Sequence, residues 1–505
     1  MFKISEQKKM FVNLSASVIV LIINICINMF LSPIIVKKMG VEANGYVQLA
    51  NNFLTYLTII STALNSMASR FITIELHQNN FEKAKRYYSS NFWGNVGMLI
   101  ILFVPLFFLV LFLNKFISIP NEMQHDVKLL FLFVFINFYV TTITPDWNTA
   151  NFSTNNLYLA SFGQMSTNIV RIAILFFLML NLSPKMWYVS ISMLIASVFL
   201  QIWTFYVKQQ LLPELKVSRK YFNFRFLIEL VSSGVWNSVN QLGVVLIQGM
   251  DLILSNWFLG PKEMGVLSLA KIFPSLMSQL GQSISNVFLP NFTILFAKNN
   301  INKLVYEIEK SSKLCSFIMN IIFVAFLIFG QSFFKLWVPS QNSELIQELS
   351  VLSIIGIIFS SGMQPLWQVF PTVNKLRTNS IVILISGLLS IITTVFFLRN
   401  TDWGLYAICG ISSFYTIIKN IFFILPYSAK YIGLKKTAFV PMIIESVINI
   451  VVLFTMGVFY RQFIIIDSWG TLVVYAGAFC VICLITSFFL LFDKSDREIL
   501  LRKFK

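Results

Sequence analysis

Charged side chains inside apolar, helix-length segments are the residues of this sequence best suited to bind a ligand. Lys271, Arg171 and Lys419 lie inside such segments, and so does Asp251. A charge at the centre of a bilayer costs about 2.5–3.5 kcal/mol or more, so these side chains should face the interior of a helix bundle or a water-filled cavity. Three cations against one acid favour binding of an anion, such as a phosphate or pyrophosphate group.

Polar side chains also recur at helical spacing in four of these segments, every three or four residues in the second and eighth and with one longer gap in the first and seventh, which places them on one face of a helix. They are Asn13, Ser17, Asn24 and Asn28 in the first segment, Gln48, Asn51, Thr55, Thr58, Thr62, Asn65 and Ser69 in the second, Ser233, Asn237, Asn240, Gln248, Asp251 and Ser255 in the seventh, and Ser268, Lys271, Ser275, Ser278, Gln282 and Ser285 in the eighth. Interhelical hydrogen bonds, worth about 0.6 kcal/mol each in a membrane, would explain two or three polar residues per helix. Stripes of this length favour a hydrated central cavity instead.

The candidate binding residues follow from these charges and stripes. They are Lys271, Arg171, Lys419, Arg70, Asp251, Asn51, Asn237, Gln248 and Gln282. Lys271 is the strongest candidate, because it lies on a polar stripe at the position 220 residues after Asn51. At 1.5 Å per residue, Asp251 and Lys271 both lie roughly 15 Å below an outer turn at Gly260, so they could pair. Such a pair would be a structural lock, and it could also take part in a switch.

The other candidate cations differ in depth. Arg171 follows Gln164 and Asn168 on one helical face, so it should point to the interior. Lys419 is nearer the cytoplasm, where snorkelling to the headgroups is an alternative. Arg70 ends the second segment at its inner mouth, where it would either guard an entrance or anchor the helix.

The segments that position these residues are membrane spans. The chain has 505 residues, of which 57% are hydrophobic and 12% are charged, and this is the composition of a polytopic membrane protein. We predict about fourteen apolar helices of ~20 residues, each long enough to cross the hydrocarbon core. The predicted fold is therefore all-α.

An internal duplication organises the spans. Residues 220 positions apart match repeatedly: Gly40 with Gly260, Gly45 with Gly265, and Pro145-x-Trp147 with Pro365-x-Trp367. We predict two six-helix lobes, 1–210 and 221–430, related by a pseudo-two-fold axis along the membrane normal, with helices 13 and 14 and a cytoplasmic tail in 431–505. Such a duplication is typical of transporters, whose site lies where the copies meet.

The net charge of +17 follows the positive-inside rule. If the N-terminus is cytoplasmic, most of the 38 Lys and Arg residues fall on the cytoplasmic side, which also holds the C-terminus. The positive charge is then explained by membrane topology, and nucleic acid is not an expected partner. His77 and His125 fall in loops on opposite faces, which argues against a shared metal site. Without a nucleotide-binding loop or a nucleophile–base cluster, we expect no enzymatic activity and no cofactor.

Two six-span copies, two extra spans and a Gly-x4-Gly turn before spans 2 and 8 resemble the multidrug/oligosaccharidyl-lipid/polysaccharide exporter superfamily. Ser69-Arg70-Phe71-Ile72 and the basic loop from Asn80 to Tyr88 most resemble its O-antigen and capsule-type lipid-linked oligosaccharide flippases, or polysaccharide biosynthesis proteins. The resemblance implies alternating access and transport of an undecaprenyl-pyrophosphate-linked sugar unit across the bacterial cytoplasmic membrane, through a cationic central cavity. In related lipid II flippases, basic residues on spans 2 and 8 engage the pyrophosphate. Lys271 matches one such position, whereas its counterpart Asn51 is neutral.

The resemblance also implies partners. They are a lipid-linked oligosaccharide and membrane lipids, together with a polysaccharide polymerase and chain-length proteins on the biosynthetic side. The transport unit is expected to be monomeric. A drug/cation antiporter of the same superfamily is the alternative, but it calls for acidic residues in the N-terminal lobe, and predicted spans 1, 2 and 3 contain none. A major-facilitator permease would have twelve spans and a Gly-Asp-Arg-rich loop between spans 2 and 3, which differs from the loop that begins at Glu75.

Overall fold

The computed structural model describes residues 6–493 and 497. Within the first helix, the side chains of residues 6–15, 17, 18, 21, 22, 25 and 28 are outside the described part. The predicted polar positions Asn13, Ser17 and Asn28 and most of the basic C-terminal tail therefore lie outside the described residues. In the part that is described, the chain forms helices and no strands, which confirms the predicted all-α class.

The helices of the first half of the chain are α1 (Glu6–Met39), α2 (Val41–Asn65), α3 (Ala68–His77), α4 (Phe81–Leu111), α5 (Leu113–Phe116), α6 (Gln124–Ile143), α7 (Asn148–Ser153), α8 (Leu157–Asn181), α9 (Tyr188–Leu211), α10 (Phe224–Gln248), α11 (Asp251–Phe258) and α12 (Pro261–Ala270). Those of the second half are α13 (Ile272–Ala297), α14 (Ile301–Trp337), α15 (Ser343–Ile358), α16 (Val369–Thr372), α17 (Leu376–Asn400), α18 (Leu405–Lys419), α19 (Leu425–Tyr431), α20 (Val440–Arg461) and α21 (Trp469–Leu491). A 3₁₀ helix, Ser361–Gln368, precedes α16, and a π-helical turn, Asn420–Ile424, joins α18 to α19.

Among the described residues, fewer helices than the fourteen predicted spans pass as membrane-spanning on length and composition alone. Among the described residues, ten helices are long and apolar enough to cross a membrane, or eleven if α15 and the bent segment after it count as one span. The predicted fourteen is thus not confirmed. Both α2 and α13 form at the predicted positions but are not among the ten. Both carry the polar stripes described above, and these lower their mean hydropathy.

Large apolar side chains are exposed along whole helices, as expected for a surface that meets lipid. Ile101 in the middle of α4 is 75% exposed, and Val473 in α21 is 66% exposed. In a water-soluble protein such continuous apolar surface would be a liability. The chain is a multi-pass membrane protein.

Backbone packing divides the chain into two compact units. The first comprises the described residues of Met1–Leu242 with Asn256–Gly265, and the second comprises Gly243–Ser255 with those of Val266–Lys505. This division follows packing, whereas the copies 1–210 and 221–430 were inferred from matched sequence. The two criteria differ, and the tandem copies stay a proposal.

Matched sequence positions adopt matched backbone conformations. Gly40 and Gly260 both have a positive φ, 90° and 107°, in the turns that precede α2 and α12. Asn79 and Asn299, also 220 residues apart, both take the left-handed conformation, with φ of 60° and 53°. Glycine adopts a positive φ without strain, and asparagine tolerates it better than most residues. Local backbone geometry therefore repeats where the residue types repeat.

Candidate functional site

A buried ion pair is the centre of the candidate site in the second unit. Lys271 Nζ lies 2.5 Å from Asp251 Oδ2, and the two side chains are 20% and 5% exposed. The Ser412 hydroxyl donates to the other carboxylate oxygen of Asp251 at 3.2 Å. The pairing expected from their equal depth is present, and its members lie on α11, on α18 and at the junction of α12 and α13.

A break between α12 and α13 positions Lys271. Pro274 has no backbone N–H, so it cannot donate to the Ala270 carbonyl four residues earlier. The Ser350 hydroxyl on α15 donates to that carbonyl instead, at 2.8 Å. Lys271 therefore lies at a discontinuity whose freed backbone acceptor is satisfied by a neighbouring helix.

Asp251 lies at a second break. Turn residues Gly249 and Met250 separate α10 from α11, and Asp251 is the first residue of α11. A carboxylate is favoured at the N-terminus of a helix, where unpaired backbone N–H groups carry partial positive charge. Discontinuous helices that present a charge at membrane depth are a recurring design of transporter binding sites.

Lys419 lies at the C-terminal end of α18, seven residues after Ser412. That separation corresponds to roughly 10 Å along a helix, so Lys419 does not join the Asp251–Lys271 pair. Its Nζ lies over the ring of Trp367 at 5.3 Å from the centroid, and the residue is 9% exposed. Among the described residues it forms no ion pair. The alternative in which Lys419 snorkels to the headgroups does not fit this burial.

Arg171 on α8 is a cation of the first unit without a counter-charge. Among the described residues it makes no ion pair or hydrogen bond, and its Nε atom is buried without an acceptor. One turn earlier on the same face, Asn168 donates to the Asn24 side chain of α1 at 3.0 Å. The helical face predicted from the sequence thus ends at an uncompensated, partly buried guanidinium.

The other candidates of the first unit do not converge on Arg171. Arg70 is exposed at the start of α3. Asn51 is partly buried, and Asn237 donates to the Ser66 hydroxyl at 3.2 Å. In the second unit, the side chains of Gln248 and Gln282 are exposed, and neither forms a hydrogen bond with Asp251 or Lys271 among the described residues.

The polar stripe of α2 is satisfied largely by its own helix. The hydroxyls of Thr55, Thr58 and Thr62 each donate to a backbone carbonyl three or four residues earlier. At the end of the helix, Asn65 instead accepts from Asn91 and Asn95 of α4. Interhelical hydrogen bonding thus explains the last turn of the stripe but not the threonines in its middle.

A buried polar core in the second unit was not predicted. The Asn320 amide of α14 donates to Ser446 and Asn449 of α20, and its carbonyl oxygen accepts from Ser361. Asn449 donates in turn to Ser487 of α21. The signal was weak, because each helix contributes only one or two of these residues and so forms no stripe. This core joins the last two helices to the rest of the unit and has no free charge.

A second network in the first unit was also missed. Asp146 accepts from Ser69 at 2.7 Å and from Thr149 at 2.6 Å. Thr73 and Ser153 share a further hydrogen bond between the same two helices, α3 and α7. The partners of Asp146 lie on α3 and α7, so the spacing within one helix gave no signal for this network.

Comparison with known proteins adds to this geometry. The profile of a family described as "Polysaccharide biosynthesis protein" matches residues 8–296, more than half of the chain. The chain belongs to this family. The family membership confirms the polysaccharide-biosynthesis resemblance noted in the sequence.

The chain is also similar to individual proteins, one by sequence and two by structure. The chain is 27% identical over 499 residues to the "Uncharacterized membrane protein EpsK" of Bacillus subtilis (strain 168), covering 98% of both chains. A structure of the lipid II flippase MurJ in an inward closed conformation matches with a TM-score of 0.67 at 17% identity, covering 94% of this chain and 96% of that one. An inward-facing multidrug resistance MATE family transporter of the MOP superfamily matches with a TM-score of 0.64 at 13% identity, covering 84% and 98%. At such identities the two structures show a shared fold.

Proposed function

We propose that this family member is a flippase that moves an undecaprenyl-pyrophosphate-linked oligosaccharide, an O-antigen or capsule repeat unit, across the bacterial cytoplasmic membrane by alternating access. Membership of a polysaccharide biosynthesis family supports a role in supplying such a unit. The fold is that of a superfamily whose members include a protein named as a lipid II flippase. Both termini would be cytoplasmic, in keeping with the basic loops on that side.

The balance of buried charge carries this proposal. Among the residues whose burial is described, the fully buried charged residues are Lys208, Asp251 and Lys419. Lys271 neutralises Asp251, whereas Arg171 and Lys419 have no carboxylate partner in the described chain. An uncompensated cation in a low-dielectric interior favours binding of an anion. The pyrophosphate of a lipid-linked sugar is such an anion, and guanidinium groups bind phosphate oxygens in bidentate geometry.

The same balance argues against a drug/cation antiporter. A cation carrier needs a carboxylate that is free to bind a cation. Asp251 is the one fully buried acid in the described part of the chain, and its oxygens are occupied by Lys271 and Ser412. Binding a cationic drug there would require Lys271 to leave first.

Most of the candidate residues can be assigned a role in this proposal. Arg171 would bind the diphosphate directly, and Lys271 would bind it after leaving Asp251. Arg70, at the end of the polar stripe, would attract the anionic headgroup from the membrane surface. Asn51, Asn237, Gln248 and Gln282 offer amide donors and acceptors to sugar hydroxyls. The saccharide polymerase and chain-length proteins would act on the product, and a monomer would suffice for transport.

A vesicle assay tests the proposal. The purified full chain is reconstituted with a fluorescent polyprenyl-diphosphate disaccharide, and an impermeant reductant bleaches the probe in the outer leaflet. We expect protein-dependent bleaching of the inner-leaflet fraction, with no acceleration for a matched polyprenol that lacks the diphosphate. No movement of the diphosphate probe, together with gradient-driven export of a cationic dye, would establish the antiporter instead.

A further inference from the structure

Lys419 lies where two segments that carry unpartnered polar groups pack together in the second unit, apart from the Asp251–Lys271 pair. The Trp367 indole N–H, the Gln364 side-chain carbonyl and the Asn420 side-chain carbonyl are all buried without a hydrogen-bond partner. Lys419 contributes an ammonium group whose described contact is the Trp367 ring. More than 90% of buried polar groups in proteins find a partner, so several unpartnered groups in one place call for a ligand.

Two interruptions of regular helix bring these groups together. Gln364 and Trp367 lie three residues apart on the 3₁₀ helix Ser361–Gln368, where side chains at that spacing share one face. Lys419 and Asn420 lie where α18 passes into the π-helical turn Asn420–Ile424. Asn420 is held by a hydrogen bond from its amide nitrogen to the Ser360 hydroxyl. Single π-turns of this kind occur frequently at functional sites.

The surroundings of the cluster are apolar on one side and open on the other. Leu366, Phe423 and Ile424 belong to a buried hydrophobic core of the second unit, and Trp367 packs against that core. Trp367 and Gln368 are nevertheless partly exposed, so the cluster is not sealed. A contact with the face of one indole ring offsets only a small part of the cost of burying an ammonium group away from water. Lys419 therefore requires an anionic partner.

The chemistry of the unpartnered groups specifies the ligand. Lys419 and the Trp367 N–H are donors, which suit phosphate oxygens. Gln364 and Asn420 present acceptors, which suit hydroxyl groups. A sugar joined to a diphosphate offers phosphate oxygens and hydroxyl groups side by side. Inorganic pyrophosphate or a simple phospholipid headgroup offers chiefly the phosphate oxygens.

We propose that Lys419, Trp367, Gln364 and Asn420 form a binding station for the glycosyl-diphosphate junction of the substrate. This inference rests on the proposed function and assigns a second anion site to the second unit. Ser412, Thr416 and Lys419 occupy one face of α18 at spacings of four and three residues. The station and the Asp251–Lys271 pair thus lie roughly 10 Å apart along one helix face.

Binding measurements on the full chain in lipid nanodiscs test this station. The probes are inorganic pyrophosphate and a short-chain polyprenyl-diphosphate N-acetylglucosamine, titrated against the wild type, Lys419→Gln, Trp367→Phe and Gln364→Leu. Lys419→Gln should weaken both probes by at least about 10-fold, the usual effect of losing a hydrogen bond to a charged group. Trp367→Phe keeps an aromatic face but removes the N–H, and should weaken both by roughly 5-fold. Gln364→Leu should weaken only the sugar-bearing probe.

Matched controls separate the possible failures. Lys303→Gln removes an exposed lysine from α14 and should leave both affinities unchanged. Wild-type affinity in folded Lys419→Gln and Trp367→Phe would overturn the station while leaving the proposed function intact. A wild type that binds neither probe would overturn both. If the melting temperature shows that Lys419→Gln is misfolded, the conservative Trp367→Phe variant decides.

Discussion

Arg171 in the first unit and Lys271 in the second are both cations at membrane depth, and their surroundings are opposite. Lys271 is paired with Asp251, which Ser412 also contacts. Arg171 has no hydrogen bond or ion pair among the described residues. Neither cation is duplicated, since Asn51 and Ile391 stand at the positions 220 residues away. Of these two cations, Lys271 is therefore compensated by a carboxylate and Arg171 is not.

This difference separates two roles that the sequence did not distinguish. A paired lysine must exchange Asp251 for a phosphate oxygen before it can bind an anion, and the exchange leaves a buried carboxylate without its partner. An unpaired arginine can bind an anion with no such exchange. Arg171 is thus the better candidate for the first contact with the substrate, and Lys271 is the better candidate for a step that depends on conformation.

The largest expected effect comes from breaking the pair in the second unit. Lys271→Ala leaves the Asp251 carboxylate buried alone, which should destabilise the protein by about 3–5 kcal/mol. Transport and the amount of folded protein should both fall, as measured by the vesicle assay and by thermal melting in detergent.

A double variant separates stability from transport in this pair. Asp251→Asn combined with Lys271→Gln removes both charges and should restore most of the lost melting temperature, because no unpaired charge stays buried. Transport should stay low in the double variant if Lys271 binds the diphosphate. Full transport by the double variant would reduce the pair to a structural lock.

The next largest effect should come from Arg171. Arg171→Gln removes no described hydrogen bond or ion pair, so the melting temperature should be retained. Transport of the diphosphate probe should fall by about 10-fold or more, because hydrogen bonds to charged groups contribute roughly 1.5–3 kcal/mol. Arg171→Lys keeps the charge without the bidentate geometry, so its transport of the diphosphate probe should lie between that of the wild type and that of Arg171→Gln. Lys262→Gln, at an exposed position in α12, is the control for loss of one positive charge.

The two cations respond differently if the comparison is right. Lys271→Ala should fail mainly in stability, and Arg171→Gln should fail mainly in transport. Equal melting temperatures for the two variants would show that the Asp251–Lys271 pair contributes little. Normal transport by Arg171→Gln would remove Arg171 from the site.

A smaller effect is expected from Ser412, the third member of the pair. Ser412→Ala removes a hydrogen bond to the Asp251 carboxylate and should destabilise the protein by about 1 kcal/mol. Thr416→Val is the matched control, since the Thr416 hydroxyl donates to the Ser412 carbonyl of its own helix. A fall in melting temperature for both variants alike would mean that Ser412 acts through its helix and not through Asp251.

Sequence reasoning located the paired charge better than the unpaired one. Asp251 and Lys271 could be placed at equal depth, because both lie a known number of residues from the turn at Gly260. Stripe membership likewise placed Arg171 on an interior face. Whether a carboxylate lies near Arg171 depends on helices that are far away in sequence. The periodicity of a single helix cannot predict such a contact. The breaks at Pro274 and at Asn420–Ile424 arise from local backbone chemistry, yet the hydroxyl groups that bond there, those of Ser350 and Ser360, come from other segments of the chain.

The number of spans shows a related limit. Polar stripes made α2 and α13 visible as candidate site helices, and the same residues keep both out of the set of clearly apolar spans. Conversely, the Asn320 core has no periodic signal, because it collects single residues from several helices. Patterns within one helix are readable from sequence, and patterns assembled across helices are not.

Water access to the polar stripes gives the smallest perturbation and compares the two units directly. Thr58 on α2 and Gln282 on α13 are replaced singly by cysteine in a background without the five native cysteines. Both positions should react with an aqueous thiol reagent from at least one side of the membrane, because a polar face that does not bond to other helices should meet water. Ile101→Cys on α4 is the control, since it is 75% exposed on an apolar face that meets lipid and should stay protected. Protection of Thr58→Cys with labelling of Gln282→Cys would confine the hydrated face to the second unit. The Thr58 hydroxyl donates to a backbone carbonyl of its own helix. That result would therefore mean that the polar groups of the α2 stripe are satisfied within α2, and it would leave Arg171 as the principal polar contact of the first unit.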